Sequence, residues 1–185
     1  WGPELELTGY WFLDRPSGWR PPSVLEDFLA SGPKPICVGF GSMPSSAPEQ
    51  TTELFARALA RAGQRGILLT GWGGLAPTEL AEGVLAIESA PHDWLFPRVA
   101  AVVHHGGAGT TAAALRAGVP ALVIPFIADQ RFWGERVARL GAGLGPVARR
   151  GLSPESLETA LRELVENPAY RERAASIARA LASED

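Results

Sequence analysis

His105-Gly106-Gly107-Ala108-Gly109-Thr110-Thr111 gathers an imidazole, three glycines and two hydroxyls into one short stretch. It follows the apolar run 99–103 and precedes the helix-like run 112–117. The pattern is strand, glycine turn, helix. Glycines let a backbone come close to a ligand, and a helix start offers unpaired N–H groups with a partial positive charge. Such a cradle suits an anion, phosphate above all. Gly107, Ala108, Gly109 and Thr110 would supply backbone N–H groups and one hydroxyl, and His105, at the strand exit, a further donor. His104 is expected to point the other way and to be structural, because strand neighbours alternate faces. A second glycine turn, Gly39-Phe40-Gly41-Ser42-Met43, leaves another apolar strand. Two such turns on one sheet suit a diphosphate.

Other chemistries fit less well. A P-loop needs Gly-Lys-Ser/Thr, which is absent, and a dinucleotide fingerprint fails at Pro44, where its third glycine should stand. No Asp-x-Asp and no His/Cys cluster of metal-ligand spacing occurs. The expectation is therefore a site without a metal or other cofactor.

The elements around these turns alternate. Apolar strands are expected at 35–40, 66–70, 84–88, 99–103 and 121–124, with a short sixth at 142–147. Helices are expected at 25–29, from a capping box at Ser46 to Glu49, at 111–117, at 130–140 with Phe132, Trp133, Val137 and Leu140 inward, from Ser153-Pro154, and from Asn167-Pro168. Short apolar strands between amphipathic helices imply an α/β fold, a Rossmann-like three-layer parallel sheet of about six strands. Ligands bind such sheets at the carboxyl ends of the strands, where both glycine turns fall. Residues 1–22 read as an irregular linker with an aromatic patch, Tyr10-Trp11-Phe12, and 23–185 as the binding domain.

Bulk properties narrow the partners. With 185 residues and 46% apolar content the chain has material for a full core. A net charge of −3 and no basic run give no footing for nucleic acid. The single cysteine, Cys37, fits a reducing compartment, so a cytoplasmic location is expected, and no apolar run is long enough for a transmembrane segment. The chain opens on Trp1-Gly2-Pro3 without a methionine, as in the middle of a longer protein.

Taken together, Gly9 to Asp14, Val38 to Met43, Gly71-Trp72-Gly73-Gly74, Pro91 to Pro97, His104 to Thr111, Leu115 to Pro120, and Pro125 through Asp129-Gln130 resemble the nucleotide-sugar-binding half of family 1 glycosyltransferases of GT-B fold. The sterol 3-beta-glucosyltransferase-like branch is the nearest in pattern, and antibiotic glycosyltransferases share many of the motifs. The resemblance implies the C-terminal domain of a GT-B fold, with an N-terminal acceptor domain absent from this chain. It implies transfer of a hexose, with inversion, from UDP-glucose or a dTDP-sugar to a hydroxyl of a sterol, lipid or natural product. It places Ser42 with His105 on the diphosphate and Asp129 and Gln130 on the sugar hydroxyls. The nucleoside falls to Trp72 and the backbone of Ala90, Pro91 and His92. The general base would lie in the acceptor domain, so no catalytic residue is expected here.

Three readings stay open. Asp129 also suits the N-cap of the next helix. Trp133 is expected in core packing. The whole could be a non-catalytic nucleotide-sugar-binding module or a sugar-nucleotide epimerase of the same fold. The chain also departs from the branch at Ile127-Ala128, where Phe-Gly is common. It departs from the plant pattern at Ser89 and Ala113, which replace a tryptophan and a ribose-binding acid.

Overall fold

Each apolar run is short and continuous, so both faces of the strand it makes must be covered. The computed structural model describes residues 2, 4–6, 8–12, 15–71, 73–76, 80 and 82–183. Its strands are Ile36–Gly39 (β1), Gly66–Leu69 (β2), Val84–Ile87 (β3), Ala101–His104 (β4) and Ala121–Val123 (β5). All pair in parallel, in the order β3-β2-β1-β4-β5. In register, Gly39 of β1 lies beside His104 of β4, so the two glycine turns leave the sheet side by side. The chain reverses direction across β1, and the crevice of a doubly wound sheet opens at that switch point.

The helices are Ser23–Ala30 (α1), Pro48–Ala62 (α2), His92–Leu95 (α3), Ala108–Arg116 (α4), Gln130–Arg139 (α5), Pro154–Glu166 (α6) and Pro168–Leu181 (α7). Alternation along β1 divides the interior. Ile36 and Val38 face Phe55 and Leu59 of α2 and Leu157, Leu161 and Leu164 of α6. Cys37 faces Leu25, Trp94, Phe96, Leu115 and Ala174 on the other side. Burying each large side chain contributes roughly 1.5–3 kcal/mol. The exposed Arg61–Glu158 ion pair, at 2.7 Å between the same two helices, contributes about 0.5 kcal/mol. Apolar packing therefore holds the layers together.

Several expectations need correction. Residues 142–147 do not form the expected sixth strand. They make one isolated bridge, Gly143 to Ala121, and a bond from the Val147 N–H to the Val123 carbonyl at 2.9 Å. Pro146 lacks a donor, and Gly143 and Gly145 precede it, so a ladder does not propagate. The capping box before α2 does not form. The N-cap is Ala47, without a side-chain cap bond, and Ser45 Oγ accepts from the Ala47 N–H instead. Helix α4 begins at Ala108, three residues earlier than expected. In α5, Phe132 faces solvent and Gln130, Gly134 and Val137 are the buried residues. The caps on α6 and α7 do form, through Ser153 and Asn167. No helix or strand occurs among the described residues of the leading segment 1–22.

Candidate functional site

The geometry follows from where β1 and β4 end. Gly41 turns the chain away from β1 with φ of +58°, and a Cβ there would lie 3.2 Å from His105 Cε1. Gly107 ends the turn after β4 with ordinary φ, yet a Cβ on it would lie 2.5 Å from His105 Nε2. The imidazole thus sits between two glycines, one from each turn, and only glycine leaves it room. Burial lowers the His105 pKa, so the ring is neutral at pH 7. Its Nδ1 is buried without a partner.

Helix α4 starts immediately after this ring. The Thr111 N–H is the first with a helical partner, the Gly107 carbonyl at 2.9 Å. The N–H groups of Ala108, Gly109 and Thr110 precede it in the first turn, where backbone donors lack intrahelical acceptors. No side chain caps the helix. Ser42 is exposed opposite, on the β1 turn, with its hydroxyl bonded to none of the described residues.

A cavity of about 220 Å³ lies between these turns and the β3–α3 connection. Gly41, Ser42, Ser89, Ala90, His92, His104 and Thr110 help line it. His92 stacks on Phe96 with centroids 4.4 Å apart and planes 12° apart. Its pKa is lowered, chiefly by burial, with Asp93 opposing and His105 adding to the shift. All three histidines of the chain therefore surround one crevice. Trp72 lies outside the described residues.

His104 is fully buried, as expected of a structural histidine. Its Nδ1 accepts from the Gly106 N–H at 3.0 Å, which shapes the turn and leaves the proton on Nε2. Burial, with the two neighbouring histidines, pushes its pKa down to about 3. The unfolded imidazole has a pKa near 6.5, so the folded state binds fewer protons between those values. Stability must fall as pH drops from about 6.5 toward 3, by up to about 1.4 kcal/mol per unit. Thermal melts at pH 7 and pH 5 should show this acid loss. His104→Gln should be less stable at pH 7 yet decline less between the two.

The β5–α5 loop abuts the same turn. A Cβ on Gly106 would lie 2.6 Å from the Gln130 carbonyl. Gln130 itself is buried, and its side-chain carbonyl accepts from the Phe126 N–H at 2.6 Å and the Ile127 N–H at 3.0 Å. Its amide nitrogen lies 3.3 Å from Met43 Sδ, a weak acceptor. Gln130 therefore pins its own loop to the β1 turn, and only its amide donors remain for a ligand. Asp129 is exposed at the loop's end and does not cap α5. Its Oδ2 accepts from Trp133 Nε1 at 2.8 Å. Trp133 is thus joined to the site and belongs to neither core cluster, contrary to the packing expected of it.

Ala128 holds φ of +53° and is the one described non-glycine residue with positive φ. Glycine adopts this conformation without strain, which gives a physical sense to the departure at Ile127-Ala128. Ala128→Gly should stabilise the fold by about 1 kcal/mol, raising Tm by about 2–4 °C. An unchanged or lowered Tm would mean the loop carries no strain.

Among the described residues no helix is long and apolar enough to cross a membrane, and no group of three His, Cys, Asp or Glu side chains could hold a metal ion.

Residues 75–185 match the family model described as erythromycin biosynthesis protein CIII-like, C-terminal domain. The chain is 45% identical over 186 residues to the sterol 3-beta-glucosyltransferase UGT80A2 of Arabidopsis thaliana, covering all of this chain and 29% of the relative. It is 44% identical over 186 residues to the O-mycaminosyltylonolide 6-deoxyallosyltransferase of Streptomyces fradiae, covering all of this chain and 43% of that one. The chain thus spans under half the length of these curated relatives. The solved structure of CalG4, the calicheamicin glycosyltransferase, superposes with a TM-score of 0.69 at 28% identity, over 90% of this chain and 41% of that one.

Proposed function

The chain belongs to the erythromycin biosynthesis protein CIII-like C-terminal family of glycosyltransferases, and from that premise we propose that its crevice holds the sugar-nucleotide donor, UDP-glucose. The observation that carries the reading is the convergence of two glycine turns on His105, beside the uncapped start of α4. The donor N–H groups of Ala108, Gly109 and Thr110, with Gly107, the Thr110 hydroxyl, the Ser42 hydroxyl and the His105 imidazole, would grip the diphosphate. Asp129 and the amide of Gln130 would meet the sugar hydroxyls. Ala90, Pro91 and His92 would bound the nucleoside.

Transfer to an acceptor hydroxyl leaves a diphosphate whose charge grows in the transition state. Preorganised donors aimed at that charge stabilise it without reorganising. Helix start, His105 and Ser42 are such donors, so we assign the neutralisation to them and not to a divalent ion. His105 is neutral, so it would act through an N–H and not as a cation. The reaction is a single inverting displacement, with its base and acceptor pocket in a preceding domain. A sterol, lipid or natural-product alcohol is the acceptor class. The protein would act in the cytoplasm, where its buried Cys37, with a pKa pushed up to about 12, stays an inert thiol.

Calorimetric titration of the chain with UDP, UDP-glucose, dTDP-glucose and NAD tests this. UDP and UDP-glucose should bind, with affinities unchanged by EDTA, and NAD should not. Binding of NAD in place of UDP, or binding abolished by the chelator, would overturn the reading.

A further inference from the structure

We propose that Trp133 is a positioning residue that fixes the Asp129 carboxylate, and that Tyr10 of the leading segment braces it. The inference rests on the donor reading above and names how its sugar contact is held.

Asp129 and Trp133 are four residues apart at the start of α5, so their side chains share one face of the helix. An aspartate at this place commonly bonds the helix's own N–H groups. Here the backbone at Asp129, with φ −79° and ψ −1°, is already helical, and the carboxylate makes no cap bond. It accepts from the indole instead, through Oδ2 at 2.8 Å. Indole is a donor only, so the bond commits one oxygen and leaves Oδ1, on an exposed residue, bonded to none of the described residues. A carboxylate so held presents one defined acceptor to the crevice. A carboxylate released from the indole would sample several rotamers, and a ligand would have to order it on binding.

The indole is itself held from outside the helix. Its ring lies 5.9 Å from the Tyr10 ring, tilted by 45°, and 5.3 Å from Phe132. Tyr10 packs on Phe12 at 6.2 Å, and the Arg116 guanidinium covers Phe12 at 4.1 Å. Arg116 ends α4, the helix whose first turn faces His105. The contacts Arg116, Phe12, Tyr10, Trp133 and Asp129 thus join the far end of the phosphate helix to the sugar carboxylate, with the leading segment as the middle link. The ring stacking needs only an aromatic at 133. The N–H on Asp129 needs tryptophan, which is the difference a substitution can read.

The test is calorimetric titration of the chain with UDP and with UDP-glucose. Trp133→Phe should weaken UDP-glucose by roughly five- to tenfold and leave UDP within about twofold, a selectivity loss that a merely structural role would not produce. Tyr10→Ala should lower the same ratio by a smaller factor, and Tyr10→Phe, which keeps the ring, should restore it. Equal weakening of both ligands by Trp133→Phe, or no weakening of either, overturns the proposal. A wild-type chain that binds neither ligand overturns the donor reading first. A ligand-free measurement separates the two failures. The Trp133 indole N–H resonance, assigned by its loss in Trp133→Phe, should shift in Asp129→Ala; an unmoved resonance overturns the positioning role whatever the ligands do.

Discussion

His105→Ala should weaken UDP binding by at least about tenfold, with little change in Tm. The imidazole contacts glycine on both sides and makes no hydrogen bond to the described residues, so removing it orphans none of them and loses little packing. A hydrogen bond to a charged group contributes roughly 1.5–3 kcal/mol, and about 1.4 kcal/mol is a factor of ten in affinity. UDP and UDP-glucose share the diphosphate, so both should weaken alike. Gly107→Ala provides an independent route to the same loss, because its Cβ would drive the ring aside while leaving the side chain present. Wild-type affinity in His105→Ala, measured by calorimetry on a folded variant, would remove that residue from the diphosphate site.

Gly106→Ala should lower stability by about 3 kcal/mol, or Tm by about 6–12 °C. Two costs add. The residue holds φ of +92°, where a side chain is strained, and a Cβ would sit 2.6 Å from both the Gln130 carbonyl and Val123 Cγ1. A backbone carbonyl cannot swing away as a side-chain tip can. The Gly106 N–H also donates to His104 Nδ1, so displacement would unpair a buried histidine. Thermal denaturation checks this directly, and a Tm within about 2 °C of wild type would mean that the turn has more room than the packing indicates.

The sheet and the phosphate turn were legible in the sequence because their signals are local. Short continuous apolar runs, three of them closed by glycine or proline, leave few alternatives to buried parallel strands, and five such runs became strands at the expected places. The run 142–147 makes no strand because a strand needs a partner ladder, and Pro146 with Gly143 and Gly145 before it gives a single bridge. Gly109 and Thr110 read as turn residues, which puts the expected start of α4 three residues after the observed one. Neither residue stops a helix whose first turn needs no intrahelical donors, so the N–H groups are nearer the crevice than the motif alone implied.

The crevice itself was legible only in part. His105 and Ser42 fall where the motif puts them, opposite each other across the switch point. The side chain of Gln130 turns inward to two backbone N–H groups, a choice made by loop shape that no spacing encodes. Helical periodicity marks Trp133 as inward, but the structure places it outside both core clusters. Its indole nitrogen found a carboxylate one turn away, and its ring found Tyr10 more than a hundred residues earlier in the chain. Positive φ at Ala128 was equally invisible, although the substitution of alanine for the family's glycine marked the position.

The central claim is that a diphosphate sits, without an ion, against the first turn of α4. Titration of ¹⁵N-labelled protein with UDP in the presence of EDTA tests it most directly, read at individual amide resonances. The account predicts the largest shifts at Gly107, Ala108, Gly109 and Thr110, with a second set at Gly41 and Ser42. Largest shifts elsewhere, such as around Arg149 to Leu152, with the α4 amides unmoved, would contradict it.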